Sequence, residues 1–510
     1  MITRLEDFKG VWQAAGDSGI SGKYAYDAYN VSTRCGALAS AAGYEAFLPP
    51  IAAEGGQGYT QIGTLARLYR RNAMEDQREV FVACTLDGVY TYTAGDAGWT
   101  RRLAGPLYAD AWDWVAYETV DGEGESAATC DVLILTNAKD GMIALYGSDL
   151  RVERKATPAK FGVLGRHAER IWGAGVEEEP DSLYYSRPYD PFNWTADEQN
   201  PELGGGQILQ PTWDGDRFIA LRELGAYLIA LKTRSIYQVR GTDPSSFVIT
   251  QEYGADAPQT ESTIAVDGTR MYYLTGGEGE APEIGVYDGV SAQLLAQDAL
   301  HEVLLAAGNT QGASAVVCGH VYYLALPVAD AAFGTETAEA GGAETGGAAP
   351  YVPTRNNTVI EYDTIRRTFM VRRGIHVRAF LTSGGQVYFT SSQDPYRVYR
   401  YGAGTTYGGQ PIPCRWQTGW MEGATKRTRK SAFILRFFAQ GGDGTVLRLT
   451  LETERRRMER AVSLCPEGRS YRVRMPLRGV RWRLRLESEG AQAWRIPGGI
   501  EVSAEEEELE

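Results

Sequence analysis

Short runs of strand-forming residues recur in pairs along most of the chain, each pair joined by a tight polar turn. Val89-Tyr90-Thr91-Tyr92 follows Leu86-Asp87-Gly88, and Met142-Ile143-Ala144-Leu145-Tyr146 follows Lys139-Asp140-Gly141. The pattern returns at Leu183-Tyr184-Tyr185, at Tyr227-Leu228-Ile229 with Ile236-Tyr237-Gln238-Val239, and at Met271-Tyr272-Tyr273-Leu274 with Ile284-Gly285-Val286-Tyr287. It comes twice more, at Val321-Tyr322-Tyr323-Leu324 with Val359-Ile360-Glu361-Tyr362, and at Val387-Tyr388-Phe389 with Val398-Tyr399-Arg400-Tyr401. From Asp87 through Asp140, Tyr184, Tyr227, Tyr272 and Tyr322 to Tyr388 the steps are 53, 44, 43, 45, 50 and 66 residues. A period near ~45 made of short aromatic strands predicts an all-β chain built as a β-propeller, each repeat one small sheet. Seven blades are counted; six is the next number, because ring closure can borrow strands from both ends.

The same patterning divides the chain. Residues 1–58 are an extended lead-in whose middle, Tyr24-Ala25-Tyr26-Asp27-Ala28-Tyr29-Asn30-Val31, alternates aromatic with small or polar positions and is expected to help close the propeller. Repeats occupy 59–410. The long 66-residue step contains residues 331–350, almost entirely Ala, Gly, Glu and Thr, a stretch too poor in apolar side chains to order itself and expected as a flexible loop within one blade. Few stretches carry a helical period; the best is roughly Leu294 to Ala307, enough for a short helix or a loop. From 411 to 500 the texture changes to apolar positions alternating with basic ones, as in Tyr471-Arg472-Val473-Arg474-Met475 and Trp482-Arg483-Leu484-Arg485-Leu486. Five or six such strands predict a basic C-terminal β-sandwich. Residues 501–510, with six glutamates, read as a solvated acidic tail.

Composition sharpens this. Sixty glycines and 30 tyrosines against 8 methionines favour turn-rich β structure. The net charge of −14 is unevenly placed: residues 1–410 hold 32 basic and 51 acidic side chains, a net of −19, whereas residues 411–500 carry +11. An acidic body joined to a basic module points to two surfaces with different partners, or to strand-edge arginines that keep the module soluble. The six cysteines are scattered, with no CxxC pair and several inside apolar runs, which predicts buried free thiols in a chain made in a reducing cytoplasm. No stretch approaches the ~20 apolar residues that cross a bilayer, so no membrane insertion is expected.

Catalytic signatures are sparse. The four histidines, His167, His301, His320 and His376, fall in no metal-ligand spacing; His320 and His376 read as strand-end residues. There is no GxSxG elbow, no phosphate-cradling GxxxxGK[ST] and no strand-to-helix GxGxxG. Gly95-Asp96-Ala97-Gly98-Trp99-Thr100 is near the Asp-box turn of sialidases but lacks its leading serine, and Asp214-Gly215-Asp216 is better read as a turn than as a calcium loop. No catalytic, metal or cofactor-binding residue is assigned, and no cofactor is expected. Carboxylates from distant blades remain the one route to glycoside hydrolysis.

Two clusters stand out as candidate interfaces. Trp172, Tyr184, Tyr185, Arg187, Tyr189, Phe192 and Trp194 gather around an irregular, proline-containing segment, readable either as an aromatic-packed loop between blades or as a protein-interaction surface. Arg455-Arg456-Arg457 poses the same choice between a solvated loop and a contact.

Arg170-Ile171-Trp172-Gly173-Ala174-Gly175, then Leu183-Tyr184-Tyr185-Ser186 and Asp190-Pro191-Phe192-Asn193-Trp194, together with the lead-in Ala28-Tyr29-Asn30-Val31, Gly36-Ala37-Leu38 and Gly43-Tyr44, resemble passages of virion proteins of tailed bacteriophages. The resemblance suggests their β-propeller tail hub or nozzle proteins and covers residues 1 to about 260. The low-complexity stretch and the basic module fall outside it. It implies a non-enzymatic structural protein, made in the host bacterial cytoplasm and working in the virion tail. Its partners would be other copies of itself in a ring, neighbouring tail proteins, and phage DNA in transient, non-specific proximity. The alternative is a propeller at the tail tip that binds or hydrolyses host surface glycans.

Overall fold

The computed structural model describes residues 1–13, 21–53, 58–122, 127–212, 215–252, 256–258, 260–276, 281–296, 299–329, 353–422 and 428–508. The stretch 331–350 lies outside them.

Tight turns set the repeat. Asn137 holds one of them with its side-chain oxygen, which accepts from the backbone N–H of Lys139 (2.9 Å) and Asp140 (2.6 Å), and Gly141 takes the φ of +80° that reverses the chain. Strands so joined pair antiparallel into seven four-stranded sheets. Blade 1 is Thr64–Tyr69, Glu79–Thr85, Gly88–Thr93 and Thr100–Ala104; blade 2 is Asp113–Asp121, Ala128–Asn137, Gly141–Tyr146 and Val152–Lys155. Blade 3 is Val163–His167, Arg170–Ala174, Ser182–Tyr185 and Gly206–Leu209; blade 4 is Phe218–Leu224, Tyr227–Lys232, Ile236–Arg240 and Val248–Glu252. Blade 5 is Ala265–Asp267, Arg270–Thr275, Glu283–Tyr287 and Ala292–Leu294; blade 6 is Ser314–Cys318, Val321–Leu326, Thr358–Asp363 and Thr368–Arg373. Blade 7 takes Val377–Ser383, Gln386–Ser391 and Val398–Tyr401 from the end of the repeats and Tyr44–Leu48 from the lead-in.

That last pairing, Arg400 opposite Glu45 and Tyr401 opposite Tyr44, closes a seven-bladed propeller. First strands of neighbouring blades pack against each other around the ring, and the apolar clusters lie between adjacent blades rather than within one. A blade alone could not bury both faces; the ring does it for all seven. Between blades 5 and 6 the helical period appears as one short helix, His301–Leu305.

The remaining strands form a β-sandwich that draws on both ends of the chain. One sheet runs Ile2–Leu5, Ile500–Glu508, Thr428–Gly441, Trp494–Ile496, Leu38–Ser40, Val31–Ser32, with Arg469–Gly479 on the free side of Thr428–Gly441. The other runs Asp27–Tyr29, Ile412–Gln417, Arg481–Gly490, Val446–Thr453, Arg457–Ser463, with Met421–Glu422 beside Arg481–Gly490.

Two expectations are corrected. Most of the lead-in joins the sandwich, and only Tyr44–Leu48 closes the propeller. The acidic end is a strand rather than a free tail as far as Glu508: Ile500 and Val502 are buried, and Glu505 to Glu508 pair in register with Ser431 to Thr428. Positive charge makes this tolerable, with Glu506 3.3 Å from the Met1 ammonium and Glu501 3.1 Å from Arg436.

Propeller and sandwich share one core. Leu5, Phe8, Val31, Leu435 and Trp482 belong to the same buried cluster as Tyr322, Ile360 and Phe389 of blades 6 and 7. Asn30 is the joint. It is fully buried, takes a φ of +57°, and donates to the carbonyls of Arg373 (3.2 Å) and Pro413 (2.8 Å) while accepting from Arg373 N–H and Tyr407 O–H, both at 2.8 Å.

Candidate interaction surfaces and the channel mouth

Blade 3 separates the aromatic cluster into interior and surface. Trp172, Tyr184 and Tyr185 are buried and cannot anchor a partner: Trp172 packs on Tyr185 at 5.2 Å and on Phe247 of blade 4 at 5.0 Å, and Tyr184 on Phe161 at 5.3 Å. Phe192 and Trp194 are half-buried, with Trp194 4.9 Å from Phe161. Arg187 is spent on its own loop, donating to the carbonyls of Thr195 and Ala196 (3.1 Å each) and pairing with Asp197 at 3.5 Å. Tyr189 alone of the seven is open, at 71 % exposure. Leu203 and Leu209 are exposed on the outer part of this blade, as are Glu177, Glu178, Glu198 and Glu202, whose carboxylates have no ion pair among the described residues.

Two buried cations hold this region. Arg170 donates to the carbonyls of Ser186 (2.7 Å), Gly204 (2.6 Å) and Glu202, pinning the loop onto the second strand of blade 3. Lys232, 0 % exposed, pairs with Asp181 at 2.6 Å, donates to the Gln210 carbonyl at 2.8 Å and sits 4.7 Å from the Phe218 ring. Neither was singled out from the sequence. Arg170 lies inside the Arg-Ile-Trp-Gly passage, but a basic residue in a β-rich run gives no sign of burial.

In the sandwich, Arg455, Arg456 and Arg457 are exposed at the hairpin joining Val446–Thr453 to Arg457–Ser463, where Thr453 N–H donates to the Arg456 carbonyl at 2.8 Å. Most arginines of that sheet are engaged. Arg415 bridges Asp27 (3.3 Å) and Glu487 (2.7 Å), Arg483 meets Glu452 at 2.8 Å, and Arg481 and Arg483 each lie 4.7 Å from the Trp420 ring. The opposite sheet differs. Along its edge strand Arg469–Gly479, Tyr471, Val473, Met475 and Leu477 point inward, and Arg472, Arg474 and Arg478 point out. Among the described residues these three guanidiniums have no carboxylate within 4.0 Å.

Ion pairs join non-adjacent blades. Asp113, opening the first strand of blade 2, accepts from Leu164 N–H of blade 3 at 2.8 Å and lies 3.4 Å from Arg222 of blade 4; Arg222 also reaches Glu261, before blade 5, at 3.0 Å. Asp110 pairs with Arg378 of blade 7 at 2.7 Å. Burial first, then the charge of Asp113, lifts the Glu261 carboxyl to about 8, against the pull of Arg222. Asp113 and Glu261 thus share one cation, each within 3.4 Å of the Arg222 guanidinium. The arrangement braces the ring.

His167 Nε2 contacts the Gly241 carbonyl at 2.8 Å and His376 Nδ1 that of Asn356 at 3.1 Å; burial pushes both imidazoles down. His320 is exposed beside Asp267 at 3.3 Å. No group of three or more His, Cys, Asp or Glu among the described residues is placed to hold a metal ion. The six cysteines are free thiols; Cys84, Cys130 and Cys414 are buried, Cys318 and Cys465 partly so, and the expected burial does not extend to Cys35, which is exposed.

No family model matches the chain, and no curated protein does. Solved structures with a similar course include the Neurospora crassa Pan2 WD40 domain, at 11 % identity and a TM-score of 0.38, covering 71 % of this chain and 94 % of that one. The extracellular domain of a B. thetaiotaomicron protein described as a one component system aligns at 8 % identity and a TM-score of 0.39, covering 73 % of this chain and 41 % of that one. A carbohydrate-binding module solved with β-1,4-galactotriose aligns over 24 % of this chain and 73 % of its own, at 13 % identity and a TM-score of 0.17.

Proposed function

We propose that this chain is a non-enzymatic structural protein of a bacteriophage virion, one subunit of a ring in the tail that serves as a hub or nozzle for DNA. The observation that carries the reading is the charge-divided body: residues 44–410, which hold the propeller, at −19, and residues 1–43 with 411–510, which supply the sandwich, at +5, fused through one core. Such a body presents opposite charges to its neighbours in a fixed geometry, which favours directional contacts between copies. The tail-protein resemblance in the first half of the chain agrees with it.

DNA passage would use the lumen of the ring of subunits. An acidic lumen wall repels phosphates and lets a genome slide without counterion-release binding. The basic sandwich meets another copy or an adjoining tail protein. The protein is made in the host cytoplasm and resides in the virion tail.

Light scattering on the purified protein, with negative-stain imaging, tests this. Closed rings of about six subunits are expected from the resemblance. A monomer at all concentrations that binds a glycan saturably would replace this reading with the tail-tip one.

A further inference from the structure

We propose that the outer face of the seven-stranded sheet, centred on Arg472, Arg474 and Arg478, docks on the acidic outer rim of blade 3 of a second copy of this chain. The inference rests on the ring reading above and names the surfaces that would form it.

The arginine face combines unpaired charge with apolar area. Alternation along Arg469–Gly479 puts three guanidiniums on one side of an edge strand. Next to them across the sheet, Arg472 faces Arg436 and Arg474 faces Ile434. Ile2 is 69 % exposed and Phe438 39 %, both large apolar groups left to solvent. A hollow of about 540 Å³ lies among Arg4, Arg436, Phe438, Arg472, Gly499 and Glu501. Glu501 is already paired with Arg436 and Arg4, at 3.1 and 3.9 Å, so the outermost arginines are the ones without counter-charge.

Blade 3 supplies the complement. Its outermost strand, Gly206–Leu209, is a free sheet edge, with Glu177 and Glu178 beside one end and Glu202 beside the other. Tyr189, Leu203 and Leu209 are the exposed apolar groups of that rim. Like charges set across a sheet, as Arg472 and Arg436 are, cost stability within one chain, and an acidic partner relieves this. Because the two surfaces differ, the contact is heterologous and propagates from copy to copy until the rotation closes a ring. Rim charges act mainly on encounter rate and partner choice, while the tyrosine and leucines supply the area that excludes water.

The test is the mass of the full-length chain by light scattering, wild type against the R472E/R474E/R478E variant. The variant is expected to dissociate, its midpoint concentration raised on the order of a hundredfold. Its circular dichroism should stay unchanged, since all three side chains are exposed. E177R/E178R/E202R should dissociate likewise, and the two sets combined should restore the ring. A wild-type ring that survives the arginine reversals would overturn this interface and leave the ring reading standing. Dissociation without rescue by the combined set would overturn blade 3 as the partner. A wild type that is monomeric throughout would sink both.

Discussion

Single residues here do their work through partners contributed by distant parts of the chain. Lys232 is the clearest case: an ammonium with no exposure is tolerated only because Asp181, the Gln210 carbonyl and the Phe218 ring surround it. Lys232→Met keeps the length and removes the charge, leaving Asp181 without its counter-ion. Urea unfolding should show a loss of about 2–4 kcal/mol; a loss below about 0.5 kcal/mol would mean the pair is dispensable. Glu261 gives a pH signature. Its carboxyl titrates about 8 in the folded chain and near the ordinary ~4.3 when unfolded, so between those values the folded state holds the extra proton. Stability from this group is therefore complete below about pH 4 and is lost as pH rises towards 8. The melting temperature should fall by roughly 1–3 °C between pH 5 and 8.5, and Glu261→Gln should flatten that slope. A variant whose slope matches wild type would remove Glu261 as the cause. Neither residue could be picked out from its neighbours in sequence, because burial of a charge is decided by which remote groups meet it.

At the scale of strands, legibility followed sequence distance. The blades were readable because each strand pairs with the next across a short turn, so the period and the alternation survive in the sequence. The closing strand left a trace in Gly43-Tyr44. The alternation over Tyr24 to Val31 showed strand but not its partner, since Asp27–Tyr29 pairs with Ile412–Gln417, and Ile2–Leu5 with Ile500–Glu508, across almost the whole chain. The C-terminal strand was masked by its glutamates, although Ile500-Glu501-Val502-Ser503 carries the two-residue alternation. The interface candidates divided in the same way: aromatic residues that looked like anchors were mostly interblade core, and the open face lay on arginines read only as strand texture. Deletion separates the two views of the acidic end. Ending the chain after Ala504 removes glutamates and ladder but keeps Ile500 and Val502, and should cost about 1–2 kcal/mol. Ending it after Gly499 also removes those two buried side chains, a loss of about 3–6 kcal/mol more, and strands Ile2–Leu5. Equal melting temperatures for the two truncations would return the segment to a solvated tail.

For the whole molecule, the shared core makes propeller and sandwich one mechanical body, which a ring subunit requires if charge on one part is to aim contacts made by the other. Independent modules would unfold separately and swing about a linker. Here the lead-in passes between them: Val11 N–H donates to the Phe369 carbonyl of blade 6 at 2.8 Å, Arg372 of the same strand donates to the Val31 carbonyl at 2.8 Å, and Asn30 ties Arg373 to Pro413 and Tyr407. Scanning calorimetry of the wild type should therefore show one transition. Asn30→Gly isolates the carboxamide, because glycine adopts the same positive φ without strain while losing all four side-chain bonds. The buried partners left behind, the Arg373 N–H and the Tyr407 hydroxyl among them, should lower stability by about 2–4 kcal/mol. The transition should stay single, since Phe8, Trp416 and Tyr322 still share one apolar cluster. Two resolved peaks in the wild type would mean the parts are coupled too weakly to act as one body. Two peaks only in the variant would instead place most of the coupling in Asn30 itself.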